Sequence, residues 1–271
     1  MRASKIVRFI VTHSVREPQK RTATDATVRY GVTTILVVTL LASGIYYQQV
    51  VAPQQTALAG RENLRRLGVT LEEKSGLVIA SLPKETTDDI FSKAVQDLAE
   101  IMAPPEPNNK LVLRLTNSSV TDLAPLEKLT NLQWLYLDRT QVSNLAPLEK
   151  LTNLQWLSFA RTQVSNLASL EKLTNLHTLY LDGTQVSNLV PLEKLTNLRS
   201  LNLNATQVSN LAPLEKLNNL EQLDLSRLKN LRPEQLKAME SLQSLIVDAS
   251  RVQEFERTLN RRGLVIRSSH F

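Results

Sequence analysis

The sequence predicts an α/β solenoid: short parallel strands stacked side by side, closed at the N-terminal end by a small α/β cap and preceded by one transmembrane helix. Three observations predict it. Residues 111–264 fall into seven consecutive blocks of 22 residues, beginning at Leu111, Gln133, Gln155, His177, Arg199, Glu221 and Gln243. A fixed period of this length marks units that stack on their neighbours. Within each block a segment such as the one around Leu135 and Leu137 alternates inward and outward, as a strand does. Upstream, Gly31 to Val51 carries no charge over about the 20 residues a helix needs to cross a bilayer core.

The N-terminal elements follow in order. Residues 1–30 form a basic tail with seven basic residues (Arg2, Lys5, Arg8, Arg16, Lys20, Arg21, Arg29) against two acidic ones (Glu17, Asp25). Five of the six net positive charges of the chain therefore sit in the tail, and the repeats are nearly neutral. A nucleic-acid partner has little electrostatic support. Residues 31–51 read as a signal anchor, with Tyr46 and Tyr47 placed for the far headgroup level and Arg29 and Tyr30 for the near one. The basic flank sets the N-terminus in the cytoplasm and the repeats outside it. One competing reading is a cleaved signal peptide, since Ala57-Leu58-Ala59 before Gly60 resembles a small-residue cleavage site. Another is a buried helix of a soluble protein. The anchor is preferred because the apolar run is long, Pro53 intervenes before the cleavage site, and the helix has no polar face to offer water. Residues 52–60, rich in Gln, Pro and Ala, read as a linker.

Residues 61–110 read as a folded N-terminal cap. Arg61 to Leu67 has helical character, and Val69 to Leu71 and Leu77 to Leu82 read as short strands. Thr87-Asp88-Asp89 opens a helix, with acidic residues where the helix dipole favours them. Ile90, Phe91, Ala94, Val95, Leu98 and Ile101 form its apolar stripe. The run APPEPNN from Ala103 to Asn109 ends it. This helix is expected to cover the first layer of the solenoid at Leu113 and Leu115.

Residues 111–242 are the repeats and 243–271 a C-terminal repeat and cap. One unit is L-x-x-L-x-L-x-x-T-x-V-x-N-L-x-P-L-x-x-L-x-x, as in Leu132, Leu135, Leu137, Thr140, Val142, Asn144, Leu145, Pro147, Leu148 and Leu151. Pro125, Pro147, Pro191 and Pro213 start the return legs, where a first helical position tolerates proline, and Ser169 takes that place once. Residues 231–239, with Pro233 in the first turn, read as a full helix. Arg251 to Arg262 read as another, stopped by Gly263 before a final strand at Leu264 to Ile266.

This pattern resembles the leucine-rich-repeat family, and its 22-residue unit with an N-L-x-P-L-x-x-L-T-N-L return leg looks most like the bacterial internalin-type repeats. The resemblance implies a right-handed, curved solenoid with its parallel sheet on the concave face. Threonine stands at Thr140, Thr162, Thr184 and Thr206 where the family usually has asparagine. There is no cell-wall sorting motif, and the anchor is N-terminal.

The return legs are near-identical, whereas the outward strand positions vary. One outward column runs Trp134, Trp156, Thr178, Ser200, Gln222, Ser244; the next runs Tyr136, Ser158, Tyr180, Asn202, Asp224, Ile246. A third holds Asp138, Ala160 and Asp182, with Arg139, Arg161, Gly183, Ala205 and Arg227 beside it. Adjacent strands lie ~4.8 Å apart, so Trp134 and Trp156 are expected to be neighbours. Aromatics with arginine are typical of binding hot spots, and Trp134, Tyr136, Asp138, Arg139, Trp156, Arg161 and Tyr180 are the candidate protein-binding residues. The alternative is that these rings simply pack on each other across strands. The Glu-Lys pairs (Glu127-Lys128, Glu149-Lys150, Glu171-Lys172, Glu193-Lys194, Glu215-Lys216) read as a solvated convex face.

Catalytic chemistry finds no footing. The chain has no cysteine, which removes thiolate nucleophiles and disulfides, and with them the cysteine-dependent ubiquitin-ligase activity that the family resemblance brings in, since some leucine-rich-repeat effectors are such ligases. His13, His177 and His270 have no partners at metal-ligand spacing. No phosphate loop or nucleophile elbow stands out. The expectation is a non-enzymatic protein without cofactor or metal. It would be a single-pass protein of the bacterial inner membrane with an extracytoplasmic or periplasmic repeat domain, binding a protein partner through its concave face. The alternatives are a structural subunit of a larger membrane complex, held by its transmembrane helix, and a secreted effector beginning at Gly60.

Overall fold

A computed structural model describes residues 52–74, 76–102 and 110–269. The basic tail and the expected membrane span at 31–51 lie outside the described residues, as does the whole APPEPNN run. Among the described residues no helix is long and apolar enough to cross a membrane. The account below concerns the unit Gln55–Phe271.

Ten strands form one sheet in sequential order: β1 Thr70–Lys74, β2 Leu77–Ser81, β3 Lys110–Arg114, β4 Leu132–Tyr136, β5 Trp156–Ser158, β6 Thr178–Tyr180, β7 Ser200–Asn202, β8 Gln222–Asp224, β9 Ser244–Val247 and β10 Val265–Ser268. β1 and β2 are antiparallel, and every later pairing is parallel. The repeats from Leu132 to Leu217 send the same seven positions inward, aliphatic throughout except for Phe159. In the repeat from Leu132 these are Leu132, Leu135, Leu137, Val142, Leu145, Leu148 and Leu151, all at most 2% exposed. Burying each contributes ~1.5–3 kcal/mol, but only when the units on both sides are present, so folding depends on stacking.

The polar positions of the repeat are fixed by backbone geometry. The hydroxyls of Thr140, Thr162, Thr184 and Thr206 are buried and donate to the carbonyls of Leu137, Phe159, Leu181 and Leu203 at 2.6–2.7 Å, closing the turn that leaves each strand. The carboxamide oxygens of Asn144, Asn166, Asn188 and Asn210 accept from the backbone N–H two residues on, at the start of each return leg. Those legs are single 3-10 turns such as Ala146–Leu148. Asn153, Asn175, Asn197 and Asn219 donate to threonine carbonyls of the preceding repeat at 2.8–2.9 Å. The Glu-Lys pairs do more than face solvent: Lys150, Lys172, Lys194 and Lys216 reach back to Glu127, Glu149, Glu171 and Glu193 of the repeat before.

Four expectations are corrected. Residues 52–60 are not an extended linker but the first half of a helix, α1 Ala52–Arg66. Alanine and glutamine are good helix formers, and Pro53 falls in the first turn, where its missing N–H costs nothing. The first cap strand runs on to Lys74, so Glu72 and Glu73 belong to the strand and Gly76, with φ 81°, to the turn. Residues 231–239 hold only a four-residue 3-10 turn, Pro233–Leu236, in place of a full helix. An α-helix is ~10–12 Å across, more than twice the ~4.8 Å strand spacing, and a slim turn keeps this return leg in step with its neighbours. The last helix, α3, is Val252–Leu259, and Asn260 in the left-handed region (φ 30°), not Gly263, ends it.

The cap helix is where the sequence places it. α2 spans Asp88–Ile101, buries Phe91, Ala94, Val95 and Leu98, and packs against the first return leg, Ala124–Lys128. The sheet edge itself is continued by the β1–β2 hairpin, since β2 pairs with β3. Asp88 ties helix to solenoid. Its carboxylate accepts from the backbone N–H groups of Thr121 and Asp122 and from the Thr121 hydroxyl at 2.7–3.1 Å. Burial raises its pKa, but these three hydrogen bonds outweigh that and leave it below the ordinary value of 3.8. At the other end, α3 covers the last repeats with Phe255, over which the Arg251 guanidinium lies at 5.0 Å.

Candidate protein-binding face

The strand register settles which side chains meet on the open face of the sheet. Val112, Trp134, Trp156, Thr178, Ser200, Gln222 and Ser244 form one transverse row, and Arg114, Tyr136, Ser158, Tyr180, Asn202, Asp224 and Ile246 form the next. Trp134 and Trp156 are thus directly paired neighbours. Trp156 stands at the centre of the cluster. Its ring lies 5.9 Å from Tyr136, tilted by 36°, and 5.2 Å from Tyr180 in an edge-to-face contact at 90°. Such pairs contribute ~0.5–1.5 kcal/mol beyond area burial.

The cross-strand packing of these rings is present in the fold. Tyr136, Trp156 and Tyr180 pack on one another with Trp134 on the neighbouring strand, yet all four residues stay half-buried, partly open to solvent. The indole N–H of Trp156 is itself buried and has no acceptor among the described residues. An unmet donor of this kind costs ~1–3 kcal/mol.

Two cations that sequence reasoning passed over complete the cluster. Lys110 Nζ lies 6.0 Å from the Trp134 ring centroid, and the Arg114 guanidinium 5.7 Å from that of Tyr136. The signal was available: Arg114 stands one period before Tyr136 in the same column. Burial pushes the Tyr136 hydroxyl above its ordinary pKa, with Asp138 and Tyr180 adding to the rise and Arg114 opposing it.

Arg139 and Arg161 sit at the strand exits, both exposed and both in the left-handed region with φ 56°. The whole column shares this conformation: Asn117, Gly183, Ala205 and Arg227 have φ between 54° and 69°. Asparagine and glycine adopt it readily, while arginine and alanine do so at a cost of ~1–2 kcal/mol. Gly183 also makes room, since a Cβ there would meet Arg161 Cγ at 3.1 Å. Arg139 Nη1 donates to Asn117 Oδ1 at 3.4 Å, a weak contact.

The carboxylates nearby are engaged in holding the strand exits. Asp138 accepts from the Ser158 hydroxyl and from the Ala160 N–H, bridging to the next repeat. Asp224 accepts from the Ser226 N–H and hydroxyl, and Asp248 from the Arg227 N–H. Asp182 is pushed above the ordinary value of 3.8, first by burial and then by Asp138 and Asp224, with its own backbone N–H and Arg161 pulling the other way. Asp138 and Asp182 remain two strands apart. Among the described residues no group of three His, Cys, Asp or Glu side chains could hold a metal ion. His177 is half-buried at the entry to β6, and its carbonyl accepts from Arg199 and Ser200.

Comparison with known proteins fits this geometry. A family model of leucine-rich repeats in two copies matches residues 152–194 and 174–216. No curated protein matches the chain. Among solved structures, an internalin (inlF) of Listeria monocytogenes is similar with a TM-score of 0.55 and 23% identity, over 64% of this chain and 47% of that one. Internalin C2 of the same species is similar with a TM-score of 0.53 and 26% identity, over 70% of this chain and 80% of that one. A leucine-rich-repeat protein of Leptospira interrogans gives 0.52 and 18%, over 69% and 51%. The chain thus spans about half the length of the first and third of these proteins.

Proposed function

Taking the chain as an internalin-like leucine-rich-repeat protein, we propose that it is a membrane-anchored module that grips a protein partner on the concave face of its sheet. Leucine-rich repeats of this kind serve as protein-interaction modules, and the finer reading rests on one observation. A half-open aromatic cluster, Tyr136–Trp156–Tyr180 with Trp134 beside it, is flanked by exposed Arg139 and Arg161, and the strands from β7 to β8 carry only polar side chains in the same rows. Rings held in place by their neighbours lose little entropy on binding, which is what a hot spot requires. Asp138 positions the exit from which Arg139 projects.

The anchor at 31–51 rests on the uncharged apolar run and its basic flank. It places the repeats on the extracytoplasmic side of the inner membrane. Release by cleavage after Ala59 fits poorly with the fold: that bond lies inside α1, and Gly60 is buried where a Cβ would meet Ile101 at 3.2 Å. Extraction of cell membranes with alkaline carbonate tests the anchor; the full chain is expected in the pellet, and its release to the supernatant would refute it.

The binding reading is tested by co-purification from native membranes of the full chain, a Trp156→Ser variant and a Glu149→Ser variant. A partner is expected to follow the first and third and to be lost with the second. A partner retained equally by all three would move the interaction off this face.

A further inference from the structure

The charges of the open face are segregated, and the segregation says what kind of partner fits. On β3, β4 and β5 and their exits stand four exposed cations, Lys110, Arg114, Arg139 and Arg161. None has a carboxylate within 4.0 Å among the described residues. Several other repeat cations are paired: Lys150, Lys172, Lys194 and Lys216 reach the preceding return leg, and Arg199 reaches Glu221 at 3.7 Å. Asp138, the carboxylate next to Arg139 in the chain, is committed to the Ser158 hydroxyl and the Ala160 N–H. Two of the cations lie over the rings of the aromatic cluster, at 6.0 and 5.7 Å, so apolar and cationic surfaces are interleaved. Two others, Arg139 and Arg161, are held in a backbone conformation that disfavours arginine, although Gly183 fills the same position one repeat after Arg161.

We propose that the β3–β6 part of this face binds an acidic peptide segment of the partner, its carboxylates against Lys110, Arg114, Arg139 and Arg161 and an apolar side chain against Trp156. This rests on the binding face argued above and adds its chemistry. The cations steer an acidic segment and fix its register, while the rings supply apolar contact area. The buried N–H of Trp156 gains an acceptor when a small shift of the rings admits a carboxylate or carbonyl oxygen. Towards β9 the face carries Asp224 and Asp248, which disfavour extension of the same acidic segment in that direction.

The test pans a random peptide library on the full-length chain in mild detergent, and in parallel on Arg139→Gln, Arg114→Gln and Trp156→Ser. The cation variants change exposed side chains and keep the fold, so they stay informative if Trp156→Ser misfolds. Recovered peptides are expected to be rich in Asp and Glu beside an apolar residue. Each cation variant is expected to weaken them about fivefold, and added salt to weaken them further. A pool that is neutral or basic but still depends on Trp156 overturns this inference and leaves the binding face standing. A pool indifferent to Trp156 in folded protein overturns both. No enrichment, or binding of phosphatidylserine vesicles through the same arginines in place of peptides, also overturns it.

Discussion

Arg139→Gly should make the protein more stable while making it a poorer binder. Arg139 has φ 56° and an exposed side chain whose one hydrogen bond, to Asn117, is long at 3.4 Å. Relieving a left-handed non-glycine residue gains ~1–2 kcal/mol, and the extra freedom of glycine in the unfolded chain takes back ~0.5–1 kcal/mol. The net gain is about 0.5–1 kcal/mol, or roughly 1–4 °C in the thermal midpoint of a folded unit of this size. Arg139→Ala removes the same side chain but keeps the strain, so it should show no gain. Thermal unfolding followed by circular dichroism on the three proteins separates the two contributions. Gly183→Ala is the reverse experiment. It imposes the strain at φ 69° and puts a Cβ 3.1 Å from Arg161 Cγ, so it should lower the midpoint. The reasoning fails if Arg139→Gly and Arg139→Ala behave alike, or if Gly183→Ala is neutral.

Other consequences can be checked by the same melting assay. Asp88→Ala removes the acceptor of three hydrogen bonds between α2 and the first repeat and should cost ~1 kcal/mol at neutral pH. Because the folded pKa of Asp88 lies below 3.8, its contribution is present above that value and lost as pH falls through the folded pKa, so variant and parent should converge in acid. Asp182 has the opposite sign: with its folded pKa above 3.8, ionisation works against the fold as pH rises through that window. Asp182→Asn should therefore raise the midpoint at neutral pH and leave it unchanged below the carboxylate range. Leu179→Ala, at a fully buried position in the middle of the stack, should cost ~2–5 kcal/mol. Lys172→Gln, which breaks one rung of an exposed ladder, should leave the midpoint unchanged.

The repeats were legible because one physical rule is applied many times. The spacing of Leu132, Leu135 and Leu137 fixes a strand phase, and that phase placed Trp134 beside Trp156 and Tyr136 one row over, as the register has them. Features that depend on contact between repeats were less visible. Glu149 and Lys150 are adjacent in sequence, yet Glu149 pairs with Lys172 because the solenoid brings the next return leg alongside. The exits at Arg139 and Arg161 carry no glycine to announce their left-handed backbone, though Asn117 and Gly183, at the same phase, do. The ends of the array were hardest. There the local propensity of residues 52–60 and 231–239 competes with stacking: propensity prevails in α1, and stacking prevails in the 3-10 turn Pro233–Leu236. Lys110 and Arg114 escaped notice because they belong to the first strand, where the cap, not another repeat, is the preceding neighbour.

The central claim, that the aromatic face is where the partner sits, is tested most directly by photo-crosslinking from Trp156. A photoreactive amino acid replaces Trp156 in the full-length chain in native membranes, with one at Glu149 on the return-leg side as control. The account predicts a discrete adduct from position 156 and none from 149, with the adduct identifying the partner by mass. Adducts of equal yield from both positions, or none from 156 in folded protein, would contradict it.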